Sequence, residues 1–150
     1  MLCMNSYPKA YIDQCRSKME SQLAAHNGLV SAASRKKDTA VQSALASFEP
    51  LFFNNLVFVL EGSFVHRSRT LEGKDGNALN EVRMICSSLL QGGGVMTADK
   101  SIKFDPAKSI LKLRIGDEIK LSEADFVVLS RAFFAELEAR FSSSPRAKAR

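Results

Sequence analysis

The sequence lacks several features of metal-binding, membrane and secreted proteins. Its three cysteines, Cys3, Cys15 and Cys86, form no CxxC pair and no Cys/His ligand spacing. We therefore expect free thiols in a reducing compartment and no metal site. No run of about 18 apolar residues is present, so no segment is expected to span a membrane. The first residues lack the positive start and long apolar core of a signal peptide, which predicts a cytoplasmic protein.

Nucleotide-binding signatures are also missing. There is no P-loop motif, and the glycines at positions 92–94 follow a helical pattern instead of opening one. A dinucleotide site needs its glycines at the start of a helix. We expect no cofactor.

The net charge is +5, but its distribution argues against a nucleic-acid surface. Arg146, Lys148 and Arg150 lie in a segment rich in serine, proline and alanine that begins at Ser142. A second basic group, Arg35-Lys36-Lys37, lies in a predicted loop between helices. The pattern predicts one domain over residues 1–141, followed by a basic, disordered tail over residues 142–150.

Apolar residues at spacings of three and four predict helices through most of the chain. The first helix is expected to start near Pro8, and residues 31–37 to form a loop before a cap at Asp38. The second helical region should run to about Thr70 and break or kink near Pro50. Asn77 or Asn80 is expected to cap a third helix that ends at the three glycines.

The period changes after the third helix. Ile102 and Phe104 alternate around a lysine, and so do Ile119 and Leu121, which predicts short strands. Ser122 is expected to cap the last helix. Together these patterns predict a mainly α protein, a four- or five-helix up-down bundle with a short β-hairpin or meander inserted before the last helix.

The third helix carries a family resemblance. Glu81 and Arg83 precede Cys86-Ser87, a short apolar stretch, Gln91 and the glycines. This layout resembles the signature helix of the HEPN superfamily, in which Arg-Asn precedes a His by about one turn, and the resemblance covers roughly residues 48–141. In active members the Arg and His cleave RNA across a dimer interface.

Here Cys86 and Gln91 stand where the resemblance would place the catalytic Arg and His. Neither side chain can supply the cation or the imidazole that such chemistry needs. The resemblance therefore implies a non-enzymatic HEPN-like interaction domain, a homodimer that binds a protein or RNA partner.

An alternative function rests on polar residues that should meet at one end of the bundle. It is an RNA- or nucleotide-processing enzyme in which His66 is the acid/base group and arginines such as Arg67 and Arg83 hold phosphate oxygens. The full set of candidates is His66, Arg67, Arg69, Lys74, Asn77, Asn80, Glu81 and Arg83. Polar residues also collect at helix ends as caps and ion pairs, which is the structural interpretation of the same set.

Two further residues have open interpretations. Glu61 lies in the most apolar helix and should either pair, with His66 or Arg83 as candidates, or face solvent. His26 is interpreted as a half-buried helix residue and not as a ligand.

Overall fold

A computed structural model of the chain describes residues 2–143. The elements are β1 (Tyr7–Pro8), α1 (Lys9–Ser34), α2 (Thr39–Gly62), α3 (Arg69–Glu72), α4 (Ala78–Gln91), α5 (Glu123–Phe141) and β2 (Ser142–Ser143). Helices α2, α4 and α5 contact one another, and α1 packs on α2 and α5. The prediction of a mainly α bundle with a small β component is confirmed.

The helix starts follow the predicted caps. The Asp38 side chain accepts hydrogen bonds from the backbone N–H groups at the start of α2, and the Asn77 side chain does the same for α4. Ser122 and Asp125 form a reciprocal capping box at α5. Each cap satisfies N–H groups that have no partner inside the helix.

Pro50 does not break α2, which continues from Thr39 to Gly62. Of the two predicted outcomes, the break is wrong and the kink stays a prediction; the helix can continue because the missing N–H leaves the Ala46 carbonyl, and no other backbone group, without its usual helical donor. Ala46 is exposed, so water can hydrate that carbonyl.

The core lies where α2, α4 and α5 meet. It is rich in phenylalanine, and Phe53, Phe64, Phe126, Phe133 and Phe141 are fully buried. The predicted apolar faces of α1, α2 and α4 therefore point toward the core in the part of each helix that lies within the bundle.

The segment between α4 and α5 has little regular strand. One antiparallel bridge joins Val95 and Glu118, and the backbone hydrogen bonds around it are Ile119 N to Gly94 O, Met96 N to Asp117 O and Gly116 N to Met96 O, each 2.8 Å. Side chains replace a neighbouring strand elsewhere in the segment. Asn54 donates to Ile119 O and accepts from Leu121 N, so the alternating apolar residues reach the core without a ladder.

The two-stranded sheet forms at the two ends of the described chain. Tyr7 pairs with Ser142 and Pro8 with Ser143 in parallel register. The first two residues of the predicted tail are therefore part of the fold. Its basic residues, Arg146, Lys148 and Arg150, lie outside the described residues.

Candidate functional site

The predicted polar cluster lies where α2 ends and α3 and α4 begin. At its centre is Arg67, whose side chain is completely buried. Its guanidinium donates to both carboxylate oxygens of Glu61 at 3.1 Å, to Glu72 Oε1 at 3.1 Å and to Phe64 O at 3.0 Å. It also lies over the Phe133 ring, 5.4 Å from the centroid. Its two terminal nitrogens, Nη1 and Nη2, are therefore occupied inside the protein, while its Nε is buried without a hydrogen-bond partner.

Glu72 is the second fully buried charge of the cluster. It accepts hydrogen bonds from Arg67 and from Arg83, the latter at 2.6 Å to Oε2. Burial alone would raise its pKa, but the hydrogen bond from Arg83 and the charge of Arg67 outweigh that effect and hold the pKa below its ordinary value. Two carboxylates thus balance two guanidinium groups.

Glu61 forms an ion pair, which is the first of the two alternatives predicted for it, and it does not simply face solvent. Its main partner is Arg67, which bonds both of its oxygens. Of the two partners proposed from the sequence, Arg83 approaches to 4.0 Å. The contacts of the described residues include no hydrogen bond or ion pair between Glu61 and His66.

The asparagines of the α3–α4 loop have structural roles. Asn77 caps α4 and donates to Glu72 O at 2.7 Å. Asn80 accepts from Gly76 N and donates to Gly73 O, which holds the loop closed. Gly76 has a φ of 85°, and a Cβ there would lie 2.5 Å from Lys103 O, so this turn requires glycine.

Glu81 fixes the segment that follows α4. Although it is completely buried, its two carboxylate oxygens accept hydrogen bonds from Ile110 N at 2.8 Å and Leu111 N at 2.9 Å. Burial raises its pKa, and the two N–H groups partly oppose that effect. Glu81 therefore anchors a loop to the core.

The remaining candidates lie at the surface. His66 is exposed and has a φ of 62°, an uncommon conformation outside glycine, while its carbonyl accepts from Met4 N at 2.8 Å. Arg69 is partly exposed, 3.9 Å from Glu72, and the side chain of Lys74 is exposed. The structure thus brings Arg67 and Arg83 together through Glu72 but leaves His66 outside that network, which favours the structural interpretation of the cluster.

The positions of the resemblance on α4 are likewise structural. Cys86 is buried, its thiol points to Val57 O at 3.7 Å, and burial raises its pKa to about 12. Gln91 is exposed at the helix end. Neither environment supplies a reactive group at neutral pH.

Sequence analysis missed the most unusual surface of the protein. The far ends of α1 and α2 project from the bundle as a helical hairpin, and no side chain between Asn27 and Phe52 is buried. An apolar groove of about 300 Å³ lies between the two arms. We call its lining the hairpin face: Leu29, Ala33, Val41, Ala44, Leu45 and Phe48.

A signal for the hairpin face was present in the sequence. Residues 21–34 and 39–48 contain no Asp, Glu, Lys or Arg. Exposed helices of soluble proteins usually carry charge on their outer side. Among the described residues, α2 is also the one helix long and apolar enough to cross a membrane, with 22% of its most apolar window buried in the bundle.

A buried histidine was also placed incorrectly. His26 is 3% exposed instead of half-buried, and it lies beside Glu49 and Glu123. The three residues come from α1, α2 and α5, so nothing in their sequence spacing connects them.

Comparison with protein-family models, with curated proteins and with solved structures finds no match.

Proposed function

We propose that this protein is a non-enzymatic, HEPN-like interaction domain that forms a homodimer through the hairpin face. The observation that carries the proposal is the bare apolar surface of the hairpin. Leu29, Val41 and Phe48 are 49%, 43% and 44% exposed, although they line one continuous groove. Covering such a patch removes apolar area from water and stabilises association.

The spacing along α2 suits a helix partner. Val41, Ala44, Phe48 and Leu51 follow one another at intervals of three, four and three residues. That is the stripe by which two helices pack together, and the alanines and serines beside it allow a close approach. Two hairpins facing one another would form a four-helix bundle.

Charge favours a second copy as the occupant. Each chain is net positive, so a surface without charge favours the approach of a second copy, and residues 21–34 and 39–48 of the hairpin carry no charge. In an antiparallel pairing, the Arg35–Lys37 loop at the tip of one copy would lie about 22 Å along α1 from Glu20 at its own helix root. There it would meet Glu20 at the root of the other copy.

The absence of catalysis is supported by the polar cluster. Arg67 and Arg83 are committed to Glu61 and Glu72, and the motif positions hold Cys86 and Gln91. A reactive site would need a free cation beside a titratable group. RNA incubated with the purified protein should therefore remain intact, whereas cleavage that disappears in His66→Ala would overturn the non-enzymatic proposal.

Light scattering after size exclusion tests the dimer. The wild-type chain at tens of micromolar should elute with twice its 16.5 kDa mass. Val41→Lys or Phe48→Lys should shift it to a monomer, because a charge would be buried in the apolar interface. Val128→Lys is the matched control, since Val128 is 52% exposed on α5, away from the hairpin face.

Two results would contradict the homodimer. One is a wild-type monomer at these concentrations. The other is binding to lipid vesicles that Val41→Lys abolishes, which would assign the hairpin face to a membrane instead of a second copy.

A further inference from the structure

A buried imidazole without hydrogen bonds lies at the root of the hairpin. The His26 side chain is 1% exposed, and neither of its ring nitrogens has a hydrogen-bond partner. The ring is fixed by Phe52, stacked at 5.7 Å, and by Phe53, edge-on at 4.7 Å. Buried polar groups are nearly always partnered, so an unpartnered imidazole beside carboxylates is a candidate ligand for an ion.

Two carboxylates approach this imidazole from different helices. Glu49 Oε1 of α2 lies 3.4 Å from Nε2, and Glu123 Oε2 at the start of α5 lies 3.3 Å from Nδ1. Both oxygens lie close to the ring without forming a hydrogen bond to it. One ligand atom from each of the three residues lies within 4.8 Å of the others.

We propose that His26, Glu49 and Glu123 form a binding site for a divalent transition-metal ion of the zinc class. One imidazole nitrogen and two carboxylate oxygens are donors that zinc, cobalt and manganese accept, whereas calcium and magnesium prefer oxygen alone. A first-row ion with bonds of about 2.0–2.2 Å holds its ligands roughly 3.4 Å apart. One ion can bind only one of the two ring nitrogens, so the carboxylate that now faces the other nitrogen must rotate toward the ion. The ligand atoms, now within 4.8 Å of one another, must come to separations of roughly 3.4 Å.

The site is open enough for an ion to enter. The Glu49 and Glu123 side chains are 36% and 31% exposed, so they can rotate and leave a coordination position for water. With three protein ligands, the site would be incomplete without that fourth donor. A bound ion would join α1, α2 and α5, and so clamp the hairpin to the bundle independently of whether two copies associate.

The competing explanation is that the two carboxylates only neighbour the imidazole and that no ion binds. Titrating a divalent metal ion into protein without an affinity tag distinguishes these two explanations. A Cys3→Ser background removes the one exposed thiol among the described cysteines, which could bind zinc by itself.

Zn²⁺ or Co²⁺ titrated into this protein should bind one equivalent per chain and raise the unfolding temperature by several degrees. Glu123→Gln and Glu49→Gln should each weaken binding at least tenfold, and His26→Gln should abolish it. His66→Gln is the matched control, because it removes the other, exposed histidine and should leave binding unchanged.

The proposal is overturned if the wild-type chain binds no stoichiometric metal, or if Glu123→Gln binds as tightly as wild type. If His26→Gln does not fold, Glu49→Gln and Glu123→Gln still test the proposal, since both glutamates are partly exposed. Metal binding should persist in the monomeric Val41→Lys variant, so a failed dimer leaves this result intact.

Discussion

At the residue scale, the buried guanidinium of Arg67 is the most demanding side chain in the protein. Removing a charge from water costs several kcal/mol unless it is paired and hydrogen-bonded. Glu61 and Glu72 satisfy that requirement from two different helices, and Met4 crosses the same region through a backbone bridge to Arg67. The cluster therefore ties three chain segments together.

Breaking this network should be costly. Glu72→Gln removes the fully buried carboxylate that contacts Arg67 and leaves Arg67 with Glu61 alone. We expect the free energy of unfolding to fall by about 3–5 kcal/mol, the usual cost of an uncompensated buried charge. Urea denaturation followed by circular dichroism measures it.

Glu118→Gln is the control for that substitution. It makes the same chemical change in a side chain that is 67% exposed and pairs only with Lys120. Its cost should stay below about 1 kcal/mol. Equal losses in the two variants would mean that the cluster contributes nothing specific.

At the scale of single elements, Pro50 allows a direct test of how α2 tolerates proline. Pro50→Ala restores one N–H and one backbone hydrogen bond in a continuous helix. We expect the free energy of unfolding to rise, by up to about 3 kcal/mol. Thermal and urea unfolding check this, and a loss of stability would show that the proline ring packs productively in the groove formed with Leu51 and Asn54.

The helices were predictable because their determinants are local. Asp38, Asn77 and Ser122 cap the helices that follow them, and each contacts backbone groups only two or three residues away. Apolar spacing then identifies the buried face of each helix without knowledge of its neighbours.

The segment before α5 was harder to predict because its partners are distant. Its alternating apolar residues resemble strands, yet their backbone groups bond to Glu81 and Asn54, which precede them by 29 and by more than 60 residues. Alternation reports which side chains face the core, and it carries no information about what the backbone pairs with.

The polar cluster shows the same division between local features, which the sequence predicts, and distant contacts, which it does not predict. The sequence predicted that Arg67 and Arg83 lie at the same end of the bundle, but it did not single out Glu72, which joins them. It could not separate a phosphate pocket from an internal ion-pair network, since both use arginines and carboxylates. Burial decides between them, and burial depends on packing from Phe133 and other residues of α5.

At the scale of the whole molecule, the protein has a compact half and a projecting half. Arg67 and Glu72 form an ion pair buried in the compact half, whereas residues 21–34 and 39–48 of the hairpin have neither charge nor, beyond His26, a buried side chain. Stability should therefore depend on the bundle, and association on the hairpin. A substitution in the bundle should therefore leave association unchanged, and a substitution in the hairpin face should leave the free energy of unfolding unchanged.

The response of the whole molecule to acid follows from Glu72. Its pKa is lowered in the folded state, so its contribution to stability is present above the unfolded-state pKa of about 4.3 and is lost as pH falls through the folded value. Wild-type unfolding free energy should thus drop as the pH falls below about 4.3, and more steeply than that of Glu72→Gln.

Urea denaturation of both proteins at half-unit pH steps makes this comparison. The raised pKa of Glu81 acts in the opposite direction, because stability from that group is lost as pH rises, but it is common to both proteins and cancels in their difference. The two curves should converge toward low pH, where Glu72 becomes protonated and resembles the neutral amide. Parallel curves would mean that Arg67 and Arg83 do not favour the ionised carboxylate, and the ion-pair description of the cluster would then be wrong.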